Sequence, residues 1–67
     1  MDGIHYEVGL TTGRRMEVII IKTKNEGFVG VAEDGFFLGV NANDFEEAKN
    51  LFVEAYEKYS VIEIVWD

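Results

Sequence analysis

Apolar and polar residues alternate along the first two-thirds of the chain in a pattern that predicts four β-strands. In residues 4–10 the apolar side chains stand at every second position, which is typical of a half-buried strand. Three more β-rich runs follow at residues 16–23, 28–32 and 36–41, and the segments between the runs contain glycine. Glycine is favoured in tight turns for conformational reasons. We therefore expect an antiparallel meander of four strands joined by short turns.

The second of these strands is apolar on both faces. Met16, Val18 and Ile20 share one face, while Ile19 and Ile21 lie on the other. A strand of this kind is expected at the centre of a sheet. The third strand has the same property, with Val29 and Val31 on the face opposite to Phe28. Because one helix can cover only one face, we expect some of these residues to be exposed in a monomer. Exposed apolar patches usually mark an interface, so Ile19 and Ile21 are candidates for protein binding and for a homodimer.

The pattern changes to a helical period after residue 43. Asn43 is a suitable N-cap, and Glu46 three positions later is placed to complete a capping box. Apolar residues then recur at steps of three and four over about fifteen residues, which predicts an amphipathic helix. They are Phe45, Ala48, Phe52, Ala55 and Tyr59, flanked by Leu51 and Tyr56. Residues 61–66 predict a final strand.

The predicted order is therefore β-β-β-β-α-β in a single small α+β domain that spans residues 1–67. One amphipathic helix packs on one face of the meander, and the last strand joins the sheet. The N-terminal residues have no basic region followed by an apolar run, so no signal peptide is expected. Apolar runs are too short to cross a membrane. We expect a cytoplasmic protein without membrane contact.

The composition narrows the possible functions. Thirteen acidic residues against six basic ones give a formal net charge of −7. This sign disfavours direct binding to nucleic acid and suits a basic protein partner. With one His and no Cys, neither disulfides nor a zinc or iron–sulfur site is expected. A core this small contributes about 3–5 kcal/mol at best. Self-association would add stability, so we expect a homodimer.

No residue pattern predicts an active site. His5 lies on the polar side of its strand, where a solvated side chain is a better interpretation than a catalytic base. Glu33 and Asp34 form a carboxylate pair, but Asp-Gly is favoured in β-turns on conformational grounds. The glycines are too dispersed for a phosphate-binding loop. We expect no catalytic, cofactor-binding or metal-binding residues. An enzyme with a site shared across a dimer stays an alternative.

Four acidic residues lie on the polar side of the predicted helix. They are Glu46, Glu47, Glu54 and Glu57. One interpretation is a solvated face, which charged helix faces commonly are. The other is an acidic surface that docks on a basic protein or imitates a phosphate backbone. The sequence leaves both open.

The segments EVIIIKTKNEGFVGVAEDG and NANDFEEAKNLFVEAYEKY, within residues 17–59, resemble the HicB-type antitoxin domain, a partial RNase H-like fold. The family's small acidic cap, apolar residue and Glu-Glu-Ala correspond to Asn43, Asp44, Phe45 and the three residues after them. The chain departs from the family at Ala32, where proline is usual, and at Ala42, where glycine is usual. The first strand is an addition to the family core.

This resemblance implies a non-enzymatic protein-binding module that masks a small basic RNase toxin. Residues 1–67 contain no counterpart of the family's operator-binding segment, so the function that the resemblance leads us to expect of them is toxin binding. The alternative is a small acidic inhibitor of phage or mobile-element origin. Such a protein imitates nucleic acid and blocks a host defence or nucleic-acid enzyme. Both hypotheses predict another protein as the partner.

Overall fold

A computed structural model describes residues 3–25 and 27–63 and shows four strands followed by one helix. The strands are β1 (Gly3–Gly9), β2 (Arg15–Lys22), β3 (Phe28–Ala32) and β4 (Phe37–Val40), and the helix is α1 (Phe45–Glu63). Each strand pairs antiparallel with its sequence neighbour, so the sheet order is β1-β2-β3-β4. The predicted α+β class and the meander are confirmed.

Glycines close two of the turns of the meander. Gly13 and Gly35 have φ angles of 92° and 100°, a region that residues with a Cβ rarely adopt. The N–H of Gly35 donates to the carbonyl of Ala32 at 3.0 Å, which closes the turn between β3 and β4. In the turn between β2 and β3, the N–H of Thr23 donates to the carbonyl of Gly27 at 2.9 Å. The turn predictions therefore hold at Gly13 and Gly35.

The core lies between α1 and one face of the sheet. Its buried members are Val8, Met16, Val18, Ile20, Phe28, Ala32, Ala48, Phe52 and Tyr56. The ring of Phe52 lies directly on the backbone of Gly30, where an added Cβ would stand 2.5 Å from the Cγ atom of Phe52. The helix therefore packs against the sheet at Gly30, through the Phe52 ring. Phe36 supports the same ring, with its centroid 5.8 Å away.

The helix begins one residue later than predicted. Asp44, and not Asn43, caps α1: its Oδ1 accepts the N–H of Glu47 at 2.8 Å. The carboxylate of Glu47 in turn accepts the N–H of Asn43 at 2.8 Å. The expected pair of Asn43 and Glu46 is therefore wrong. The sequence does not separate the two pairs, because each has an Asn or Asp followed by Glu three positions later.

Tyr56 and Tyr59 exchange the roles that the sequence predicted for them. Tyr56 is buried, whereas Tyr59 keeps 49 % of its surface exposed. The hydroxyl of Tyr56 donates to Asp34 Oδ2 at 2.7 Å, and its ring stands edge-on to Phe36 at 5.3 Å. Tyr56 is thus buried through its contacts with the turn between β3 and β4. The helical period of the sequence gives no information about these contacts.

The helix also extends further than predicted. α1 continues to Glu63. The prediction of a final strand over residues 61–66 is therefore wrong at residues 61–63. Adding a residue to an existing helix gains a hydrogen bond without a new nucleation cost, and the strand preference of Val and Ile depends on context. The rest of the predicted strand, residues 64–66, lies outside the described residues.

The contact between Asp34 and Tyr56 makes stability depend on pH. Hydrogen bonds from the Phe36 N–H and from the Tyr56 hydroxyl hold the pKa of Asp34 below its ordinary value of 3.8. The hydrogen bond to Asp34, with burial, raises the pKa of Tyr56 above 10.0. A lowered carboxyl pKa adds stability above its unfolded value, and this contribution is lost as pH falls through the folded pKa. A raised phenol pKa adds stability that is lost as pH rises through it.

We therefore expect Tyr56→Phe to cost about 1 kcal/mol at pH 7, the usual net value of a hydrogen bond. The difference from wild type should shrink as pH falls below 3.8, the ordinary pKa of Asp34. Thermal unfolding followed by circular dichroism between pH 7 and pH 2 measures it. Tyr59→Phe is the matched control and should track wild type, because Tyr59 lies on the outer side of the helix. A difference that stays constant down to pH 2 contradicts the prediction.

Candidate functional site

The face of the sheet opposite α1, here called the open face, carries an apolar strip. Strand register places Ile19, Val31 and Phe37 side by side in one row, with Ile21 and Val29 in the next. Phe37 is 72 % exposed and Ile19 is 42 % exposed, while the other three are half-buried. In the described part of the chain no element covers these residues. The prediction that some apolar residues of these strands are exposed is confirmed at Ile19, and Ile21 is only partly accessible.

Phe37 is the functional candidate that sequence reasoning missed. Its signal was present in the pair Phe36–Phe37, because neighbouring strand residues point to opposite faces. Phe36 packs beside Phe52 and Tyr56 in the core. Phe37 is therefore directed to the open face. It continues the row of Ile19 and Val31 across to the edge strand.

An acidic row borders the apolar strip on the same face. Glu7 pairs with Glu17 across β1 and β2, and Glu33 reaches Glu17 from the end of β3. Glu33 Oε1 accepts the N–H of Glu17 at 2.9 Å. Arg15 Nη2 lies 2.8 Å from Glu7 Oε1, and the exposed His5 has Nε2 at 3.2 Å from Glu17 Oε1. Three carboxylates thus face solvent near one guanidinium and one imidazole, and the acidic character of the row remains.

The four glutamates predicted on the helix lie on a different surface from Ile19 and Ile21, since α1 packs on the opposite face of the sheet. Glu57 Oε2 accepts two hydrogen bonds from Thr11, from its N–H at 2.6 Å and its hydroxyl at 2.9 Å. This carboxylate ties the turn between β1 and β2 to the helix. Glu47 accepts the N–H of Asn43. Two of the four carboxylates therefore have structural roles.

Glu46 and Glu54 remain at the outer surface of the helix. Glu46 forms a loose ion pair with Lys49, whose Nζ is 3.5 Å from Oε2. Glu54 joins Glu7 and Glu57 at the rim of a groove of about 410 Å³ between β1 and α1. The structure thus places the predicted site residues on two surfaces. Ile19 and Ile21 lie on the apolar open face, and the four glutamates lie on the helix, where two of them already accept hydrogen bonds within the domain.

The carboxylates considered for acid–base chemistry also have structural partners. Asp34 Oδ1 accepts the N–H of Phe36 at 3.0 Å within the turn, and Glu33 is held by the N–H of Glu17. Across residues 3–25 and 27–63, no group of three His, Asp or Glu side chains is placed to hold a metal ion. Within the same ranges, no helix has the length and apolar character needed to cross a membrane.

Comparisons with known proteins identify no relative of this chain. The chain was compared with models of protein families, with curated proteins and with solved structures, and none of the three comparisons found a match. The similarity to the HicB-type antitoxin domain therefore stays a prediction. Functional inference rests on the open face, the acidic row and the charge of the chain.

Proposed function

We propose that this domain is a non-enzymatic protein-binding module whose docking surface is the open face of the sheet. The observation that carries the proposal is the exposed row of Ile19, Val31 and Phe37. Burying a side chain of this kind contributes about 1.5–3 kcal/mol. Large aromatic residues in the centre of an interface commonly dominate its binding energy. Phe37 at the end of the row is the expected anchor.

The charge of the chain supports a basic partner. The net charge is −7, and the row of Glu7, Glu17 and Glu33 stands beside the apolar strip on the same face. Complementary charge accelerates association and selects partners. Together with the resemblance to HicB-type antitoxins, this supports a cytoplasmic module that masks a basic protein acting on nucleic acid.

A second copy of the chain is disfavoured on the open face in one of the two stacked two-fold arrangements. With the symmetry axis along the strands, the acidic row of one copy lies against the acidic row of the other, and like charges placed together cost binding energy. The predicted homodimer stays a prediction. Sedimentation equilibrium of the isolated domain at micromolar concentration tests it.

We expect the open face to decide capture of the native partner. A variant with Ile19→Thr and Phe37→Thr keeps strand propensity, because threonine is favoured in strands, and removes the apolar row. In pull-downs from the native host, quantified by mass spectrometry, it should lose at least ten-fold of the specific partner. The matched control carries Glu46→Gln and Glu54→Gln, which change charge on the helix, and should retain the partner.

The reverse pattern contradicts the proposal. If the partner is lost with the glutamine variant and retained with the threonine variant, the acidic helix face is the docking surface. That outcome favours the inhibitor that imitates nucleic acid. Far-ultraviolet circular dichroism establishes that both variants fold, as expected for substitutions at exposed sites, which usually change stability by less than about 0.5 kcal/mol.

A further inference from the structure

A shallow hollow of about 300 Å³ lies on the open face, at the end of the sheet away from the acidic row. Its lining includes Thr23, Asn25, Gly27, Val29, Gly39 and Asn41. Two of the lining residues are glycines without side chains, Asn25 and Asn41 contribute amides, and the Thr23 hydroxyl donates to the Gly27 carbonyl at 3.0 Å. The volume is at the lower end of the range of about 300–1,000 Å³ found for ligand pockets. The hollow therefore has room for a large side chain.

The glycine at position 39 has no explanation in the packing of the described residues. Gly39 lies in β4 opposite Val29, and glycine inside a strand costs about 0.5–1 kcal/mol relative to alanine. An added Cβ would find only the carbonyl oxygen of Phe28, at 3.7 Å, which is an ordinary contact. Gly30 differs, since the Phe52 ring occupies the space above it. A glycine in a strand often marks the close approach of another molecule.

The covered face shows how such a glycine is used. There, α1 places the aromatic ring of Phe52 onto Gly30, and this contact seats the helix on the sheet. Gly39 offers an equivalent bare stretch of backbone on the open face, one strand away. The exposed ring of Phe37 stands two residues from it on the same strand and the same face.

We propose that the hollow at Gly39 receives one bulky apolar side chain of a protein partner, and that a lysine or arginine of the same partner segment contacts the acidic row. This inference rests on the proposed function and specifies which kinds of partner side chain the open face binds. Along the chain through β3, Val29 in the lining of the hollow and Glu33 in the acidic row are four residues apart. At about 3.3 Å per residue this is about 13 Å. An extended partner segment therefore carries its cation about four residues from its apolar anchor.

A synthetic peptide with one tryptophan, three alanines and then two lysines is the probe. Its titration into the isotopically labelled domain is followed by amide chemical shifts. We expect saturable shifts at Gly27, Val29 and Gly39, and at Glu17 in the acidic row. A peptide with alanine in place of tryptophan, and one with glutamates in place of lysines, should each bind at least ten-fold more weakly. Equal binding of all three, or no saturable shift with the tryptophan peptide, overturns the inference.

Gly39→Val fills the hollow without disturbing the fold, since valine is favoured in strands and the space is open. We expect at least ten-fold weaker binding of the tryptophan peptide and no loss of thermal stability. Gly3→Val is the matched control. Gly3 stands in the same row at the opposite edge of the sheet, where its Cβ would make ordinary contacts of 3.5 Å or more. This variant should bind the peptide as wild type does.

The variants separate this inference from the proposed function. If the double variant Ile19→Thr and Phe37→Thr loses the peptide and Gly39→Val retains it, the open face binds and the hollow does not. If neither variant changes binding, both ideas fail. If the free domain self-associates and Gly39→Val abolishes that association, a second copy fills the hollow, which overturns the assignment of a basic partner.

Discussion

Replacing Phe52 with alanine is expected to remove most of the free energy of unfolding of this domain. Truncation of a buried phenylalanine costs about 3–5 kcal/mol, and a core of this size supplies about 3–5 kcal/mol in total. The Phe52 side chain is fully buried, stands on Gly30 and is flanked by Phe36. Its loss leaves a cavity between helix and sheet that rigid strands cannot close.

Urea unfolding followed by circular dichroism measures this effect. Because Phe52→Ala is expected to be largely unfolded, Phe52→Leu gives a graded second point and should lose only part of the stability. Leu51→Ala is the matched control: Leu51 precedes Phe52 on the helix but is 37 % exposed, so its truncation should cost less than about 1 kcal/mol. Equal losses at positions 51 and 52 contradict the assignment of the buried helix face.

Gly30→Ala is expected to destabilise the domain by about 1–3 kcal/mol, the usual cost of overpacking a core. The added methyl group would lie 2.5 Å from the Cγ atom of Phe52, so the aromatic ring and the helix must move. Gly39→Ala is the matched control on the neighbouring strand, where the space is open. It should be neutral or stabilise the strand by about 0.5–1 kcal/mol.

A double-mutant cycle separates this steric clash from a general effect of alanine in the strand. In the Phe52→Leu background the ring is gone, so Gly30→Ala should cost less than it does in wild type. Residues in contact commonly show coupling free energies of about 0.5–3 kcal/mol. Strictly additive costs, measured by urea unfolding, would show that Phe52 does not rest on Gly30.

Local patterns in the sequence are sufficient to predict the four strands of the meander and the helix that follows them, but not where that helix ends. The alternation in residues 4–10 and 16–23 encodes strands because successive side chains point to opposite faces. Glycine at positions 13 and 35 encodes turns because the backbone there takes positive φ angles. The same alternation shows that some apolar residues of β2 must be exposed, since one helix covers only one face of the sheet. These properties depend on neighbours in the chain and are readable without the tertiary structure.

Tertiary structure decided everything that depends on which residues meet across the fold. Strand register brings Glu7, Glu17 and Glu33 into one acidic row, although they are distant in sequence. The turn at Asp34 selects Tyr56 over Tyr59 for burial. Periodicity assigns a side chain to a face of its own element, but it carries no information about the element packed opposite. For the same reason, only the assembled sheet distinguishes Gly30, covered by Phe52, from Gly39, which lies open.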